Sequence, residues 1–272
     1  MKNKSVKKVV ILAACLILVS ACWLAFCGYK WSWGPFSRLH DVKMRNLQGN
    51  AEAYSPQNVE PIDNPLLKDR RIICLGSSVT YGASSLGVSF ADYLEARDGC
   101  QIIKDAVSGT TLTDEGINSY ISRLKKLDTD LSPDLFLCQL STNDATQGKT
   151  LGAVTDGKEI EEFDTKTVAG AIEYIIAYVK QTWDCPVMFY TNPRYDSENY
   201  GEMVDILKEI AEKWDVTVIN LWDSQSFNSI SEEQRDLYMA DDIHPTQAGY
   251  LEWWLPEFER SIGQVFQAKE QY

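Results

Sequence analysis

From Arg71 onward, short apolar runs alternate with longer stretches of helical period. The apolar runs cover 72–75, 101–104, 135–140, 187–190 and 216–220, each of strand length. The stretch 135–140 reads as a continuous apolar run, the kind buried on both faces of a sheet. Between them the pattern predicts helices over 90–97, 117–127, 165–183 and 203–213. In the third of these, Val168, Ile172, Ile175, Ile176 and Val179 recur at helical spacing and form a core stripe. After an irregular stretch a last helix carries Trp253, Trp254, Phe258 and Ile262, and Pro256 is expected to kink it. Strand–helix alternation of this kind implies a parallel sheet with right-handed crossovers and helices on both faces. Residues 145–164 form an acidic excursion after the third strand, more readily a surface insertion than a lid.

The N-terminal pattern is different. Residues 9–29 are almost wholly apolar and follow Lys2, Lys4, Lys7 and Lys8. About 20 such residues can span a bilayer as a helix, and the lysines favour an inside N-terminus with the rest of the chain outside. Val19-Ser20-Ala21-Cys22 supports a second reading. It resembles a bacterial lipobox with Cys22 as the lipidated first residue of the mature chain, and 9–19 has the length of a signal-peptide core. Trp23, Leu24, Ala25 and Phe26 continue the apolar run, which tips the balance towards an uncleaved anchor. Either way the expected location is extracytoplasmic and membrane-tethered. The expected organisation is a signal anchor or lipoprotein signal over 1–29, a juxtamembrane linker over 30–70, and a catalytic domain over 71–272.

Composition narrows the function classes. A formal net charge of -13 argues against nucleic acid as a partner, because phosphate binding needs clustered Lys and Arg. The seven cysteines include no CxxC pair. Cys74 and Cys138 fall inside predicted buried strands, where a thiol behaves as a small hydrophobe. With only two histidines, His40 and His244, a His-rich metal site is excluded and no metal or other cofactor is expected. His40 lies in the linker, far from any motif, and reads as a surface residue.

Candidate chemistry sits at the ends of the predicted strands. Ser78 follows the first, Gly109 the second and Asn143 the third, while Asp241 and His244 come after the fifth. In an open parallel sheet these ends share one edge, where ligand sites form. A serine hydroxyl needs a base to take its proton, and His244 is the one histidine in the predicted domain. Asp241, three residues earlier, can hold the other imidazole nitrogen; Asp242 competes for that role. The backbone N–H groups of Ser78 and Gly109, with the Asn143 amide, could serve as an oxyanion hole. Gly76 to Gly82 lacks the P-loop lysine and the dinucleotide glycine spacing, so a nucleotide site is not expected.

Gly76-Ser77-Ser78, Gly109, Asn143-Asp144 and Asp241 with His244-Pro245, in that order over about 200 residues, resemble the four blocks of the SGNH/GDSL hydrolases. The resemblance implies a three-layer α/β/α sandwich of flavodoxin-like SGNH type, with a five-stranded parallel sheet in the order 2-1-3-4-5. That order separates the strands opened by Cys100 and Cys185 and argues against a disulfide between them. The resemblance also implies metal-independent ester hydrolysis through a Ser-His-Asp triad. Two positions depart from the pattern. Ser77 replaces the acid that usually precedes the nucleophile, and Ser141 replaces the glycine two before the asparagine. The expected substrate is a small, acetyl-like ester, on carbohydrate or cell-wall polymer. The alternatives are a lipid ester hydrolase or acyltransferase of the same fold and, in another class, a catalytically silent carbohydrate-binding module. The loops 145–164 and 192–201 are expected to shape the pocket.

Overall fold

The structure, a computed structural model, describes residues 2–31 and 33–270 and divides into two compact units, Met1–Gln48 and Gly49–Tyr272. The first unit contains α1 (Lys2–Trp31) and α2 (Arg38–Arg45). Among the described residues, only Val6–Lys30 is long and apolar enough to cross a membrane, and none of its most apolar window is buried. His40 lies on α2 with its Nδ1 3.2 Å from the Tyr29 carbonyl oxygen.

The second unit runs β1 (Arg71–Gly76), α3 (Ser78–Tyr81), α4 (Phe90–Tyr93), β2 (Gln101–Ala106), α5 (Tyr120–Leu124), β3 (Leu135–Gln139), α6 (Thr142–Thr146), α7 (Val168–Trp183), β4 (Val187–Tyr190), α8 (Glu198–Trp214), β5 (Thr217–Ile219), α9 (Gln225–Asn228), α10 (Glu232–Tyr238) and α11 (Leu255–Glu270). The five strands form one parallel sheet in the order β2-β1-β3-β4-β5, as the family resemblance implied. Because side chains alternate along a strand, each strand feeds two cores. Ile73, Leu75, Phe136, Cys138 and Phe189 join one with α5, α7 and α8. Ile72, Cys74, Leu137, Met188 and Tyr190 join the other, where Phe90, Trp254, Phe258 and Ile262 pack. The sheet is therefore buried on both faces between helical layers.

Several elements differ from the sequence expectation for local reasons. The helix predicted from 203 begins at Glu198, because Ser197 accepts the Tyr200 N–H as its N-cap. The helix expected over 117–127 shortens to α5. Gly116 at φ 93° breaks the chain before it, and Ser119 caps its start. The stretch 94–98 winds as a π turn, not as a continuation of α4. The irregular stretch after β5 holds α9 and α10. The final helix opens with a π turn over Gly249–Trp254, in which the Leu255 N–H donates to Tyr250 O, and α11 continues directly from it through Pro256. Among the described residues no two cysteines form a disulfide. Residues 49–70 belong to the second unit: the Asn50 amide donates to Ser84 O at 2.7 Å, and the Tyr93 hydroxyl to Tyr54 O at 2.6 Å.

The excursion 145–164 is packed down. Glu173 of α7 is wholly buried. Its carboxylate accepts the Thr155 N–H at 3.0 Å, the Thr155 hydroxyl at 2.9 Å and the Trp214 indole N–H at 3.1 Å. It also pairs with the Lys213 ammonium of α8. Phe163 is buried in the adjoining core. One carboxylate thus fastens the excursion to α7 and α8. Removing one partner of such a buried pair leaves an uncompensated charge, typically at a cost of about 3–5 kcal/mol. Glu173→Ala is expected to lower unfolding stability by that order, read from the urea midpoint at unchanged m-value.

Candidate active site

The turn after β1 is held by a side chain from the neighbouring strand. Gln139, wholly buried at the end of β3, points its Oε1 into the turn. There it accepts the Ser77 N–H at 2.8 Å, the Ser77 hydroxyl at 3.2 Å and the Thr80 hydroxyl at 2.8 Å. Since the Thr80 proton is used on Gln139, the Tyr190 hydroxyl donates to Thr80 Oγ1, at 2.6 Å. The Tyr250 hydroxyl donates to Val79 O, also at 2.6 Å. Gly76 leaves room for this packing: a Cβ there would stand 1.6 Å from Thr80 Oγ1. The turn sets Ser78 at the start of α3. Ser77, at the position of the family's usual acid, is an inward-facing partner of Gln139.

The loop from Met239 to Pro245 closes by an antiparallel bridge between those two residues. Ala240 N–H donates to His244 O at 2.9 Å, and the Asn192 amide donates to Ile243 O at 2.9 Å. His244 Nε2 lies 2.8 Å from Ser78 Oγ, although the two residues are 166 positions apart. Its Nδ1 lies 2.9 Å from both carboxylate oxygens of Asp241. Asp241 Oδ1 also accepts the N–H groups of Ile243 and His244 at 2.9 and 2.8 Å. Burial works to raise the Asp241 carboxyl, but the hydrogen bond and charge of His244, with these two N–H groups, hold it down to about 2. An ionised carboxylate there only accepts. The tautomer this favours carries its proton on Nδ1 and turns a bare Nε2 towards the serine hydroxyl. Asp242 is exposed and makes no such contact.

The 107–113 loop follows β2 and bonds to residues at the end of β3 and in α6. Gly109 adopts φ 79°, a conformation that favours glycine, and a Cβ there would meet nothing within 4 Å. Left-handed backbone is therefore the constraint at this position, more than close approach. Among the described residues, neither the Ser78 nor the Gly109 N–H donates to another group, so both are free for a ligand. The Asn143 amide donates to Thr110 O at 3.0 Å, as does the Ser141 hydroxyl at 3.2 Å. Ser141 thus adds a tie that glycine could not make. Asp144 turns away and accepts Leu112 N–H at 2.7 Å and Thr113 N–H at 3.1 Å. Burial outweighs these bonds and raises its carboxyl.

The structure therefore brings Ser78, His244 and Asp241 into one bonded series and sets Asn143 beside the Gly109 loop. Sequence reasoning missed Gln139 and Asn192. Gln139 stood inside a run read as apolar, and its one polar side chain was the available signal. Arg194, Tyr195 and Ser197, with Trp222 and Asp223 from beyond β5, line a groove of about 690 Å³ whose walls include none of Ser78, Gly109, Asn143, Asp241 and His244. Asn192, after β4, bonds to the histidine loop, and Asn199, in the first turn of α8, bonds to Ala145 O of α6. Among the described residues no cluster of His, Cys, Asp and Glu could hold a metal ion.

This arrangement can be compared with known proteins. The profile of the GDSL-like Lipase/Acylhydrolase family matches residues 74–251. A search of curated protein sequences returns no match. Among solved structures, a protein from Lactobacillus plantarum is similar with TM-score 0.60 at 18% identity, covering 74% of this chain and 98% of that one. A member of the lipolytic protein G-D-S-L family from Veillonella parvula has TM-score 0.51 at 16% identity, covering 69% and 95%. A family two carbohydrate esterase from Clostridium thermocellum, in complex with cellohexaose, has TM-score 0.52 at 17% identity, covering 77% and 66%. These identities speak for the fold, and the profile, spanning more than half of the chain, settles the kinship: the protein belongs to the GDSL-like lipase/acylhydrolase family.

Proposed function

We propose that this hydrolase-fold protein is a serine esterase, tethered to the membrane on the extracytoplasmic side, that cleaves small acyl esters carried on carbohydrate or cell-wall polymer. The observation that carries the reading is the 2.8 Å contact from Ser78 Oγ to His244 Nε2, continued by the two 2.9 Å contacts from Nδ1 to Asp241. Ser78 Oγ attacks the ester carbonyl carbon while His244 Nε2 takes its proton. Asp241 stabilises the resulting imidazolium. The carbonyl oxygen, now an oxyanion, faces the N–H groups of Ser78 and Gly109 and the Asn143 amide. Collapse expels the alcohol, which takes the proton from His244, and leaves an acyl-enzyme. Water, deprotonated by the same imidazole, then releases the acid and restores Ser78.

The lysine-flanked apolar segment supports the tether, either as a signal anchor over 1–29 or through lipidated Cys22. In this reading 30–70 connects the membrane to a hydrolase domain over 71–272. The saccharide part is prompted by the likeness to the Clostridium thermocellum esterase seen with cellohexaose.

The full chain in detergent is expected to hydrolyse p-nitrophenyl acetate, with Ser78→Ala losing at least about 10³-fold in kcat while keeping its circular dichroism. Retained turnover in that variant would remove Ser78 as nucleophile. Asn143→Ala is expected to lower kcat by about 10²–10³, as for loss of one oxyanion donor. Asp241 also predicts a pH dependence. Its carboxyl lies near 2 when folded, below its ordinary value of 3.8. Its contribution to stability is therefore full above about pH 4 and is lost as pH falls through about 2. The stability difference between wild type and Asp241→Asn, followed by urea melts from pH 7 down, should stay level to about pH 4 and then shrink.

A further inference from the structure

Arg123, on α5, is only 6% exposed, and a buried guanidinium must place all of its donors. Each of its five N–H groups has a partner. Nε donates to Asn118 O at 3.0 Å. Nη1 donates to Asp105 O at 2.7 Å and to the Asp105 carboxylate at 2.5 Å. Nη2 donates to Gly76 O at 2.7 Å and to Thr110 Oγ1 at 3.3 Å. The planar group also sits over the Tyr120 ring, 5.1 Å from its centroid.

Three of these acceptors adjoin the proposed oxyanion donors. Gly76 O belongs to the peptide whose N–H, on Ser77, is held by Gln139 Oε1 at 2.8 Å. That peptide is clamped at both ends, and the next N–H in the chain is that of Ser78. Asp105, near the end of β2, leads into the loop that carries Gly109. Thr110 is the residue after Gly109, and its carbonyl receives the Asn143 amide. One side chain thus touches the backbone leading to the first donor, the loop that presents the second, and the residue that orients the third. The guanidinium charge is matched by the Asp105 carboxylate at 2.5 Å, so little net field reaches the pocket. What Arg123 supplies is spacing.

We infer that Arg123 is a positioning residue that sets the Ser78, Gly109 and Asn143 donors in mutual register for the oxyanion, an inference that rests on the esterase reading. It does not touch the substrate. Lysine cannot replace it, because a single ammonium cannot reach acceptors spread along the fork of a guanidinium. The register matters in the transition state, where donors must meet the oxyanion and not the ground-state carbonyl.

The test uses the full chain in detergent and compares wild type with Arg123→Lys and Thr110→Val. The second variant keeps the arginine and removes its contact with Thr110 Oγ1, together with the bond from that hydroxyl to Val107 O at 2.7 Å. Turnover of p-nitrophenyl acetate is measured together with inhibition by a boronic acid that forms a tetrahedral adduct on serine. The expected result for Arg123→Lys is a fall in kcat of about 10–10²-fold, with KM changed less than about threefold and boronate affinity falling in parallel with kcat/KM. Thr110→Val should move the same quantities in the same direction by less. Variants whose kcat and boronate affinity match the wild type would overturn the inference and leave the esterase reading standing. If Arg123→Lys does not fold, unchanged boronate affinity in Thr110→Val overturns it alone. A wild-type chain that neither turns over ester nor binds boronate removes the esterase reading, and this inference with it.

Discussion

A hydrogen bond of 2.8 Å joins Ser78 to His244 across 166 positions of sequence, and the rest of the second unit is what makes that bond geometrically available. Parallel pairing of β1 with β3 brings Gln139 beside the turn that presents the serine. The ladder continues to β4, whose following residue pair, Thr191 and Asn192, is buried. From there the Asn192 amide reaches the histidine loop. The turn before Ser78 and the loop that carries His244 are thus each anchored to the sheet by a buried amide side chain, Gln139 and Asn192. This division suits a reactive site, because strands are stiff while loops alone drift.

Much of this was legible in the sequence. Ser78 follows an apolar run that had to be a buried strand, and His244 was the one imidazole in the predicted domain, so chemistry left little choice of partner. The strand order came with the family resemblance, since periodicity alone does not order strands. What was hidden was hidden for physical reasons. Gln139 sits among leucine, phenylalanine and cysteine, and a strand buried on both faces hides a polar side chain that serves a turn 62 residues away. Arg123 is a charged residue in a predicted helix, and the convergence of β1, β2 and the 107–113 loop is what makes it interior. The early start of α8 depended on a cap, Ser197, whose value is felt only once its hydroxyl meets Tyr200 N–H.

The two departures from the family pattern follow the same logic. Ser77 and Ser141 each exchange an expected residue for a hydroxyl, and each hydroxyl is spent on an internal bond: one to Gln139, one to Thr110 O. The first precedes Ser78 in the chain and the second bonds to the residue after Gly109. Both changes bind the site more tightly to its scaffold without adding a group that faces the substrate.

The exposure of the histidine and its carboxylate has a consequence of its own. The His244 side chain is 23% accessible and that of Asp241 54%, while the nearest long excursion is fastened elsewhere through Glu173. Ser78 itself is 7% exposed, so in the proposed reading solvent meets the site through the imidazole and its carboxylate. A competing sugar or lipid hydroxyl would have to be bound and oriented beside the acyl carbon to outpace water there. Under the proposed esterase reading, a solvent-facing base favours water over a second alcohol as the acceptor of the acyl group.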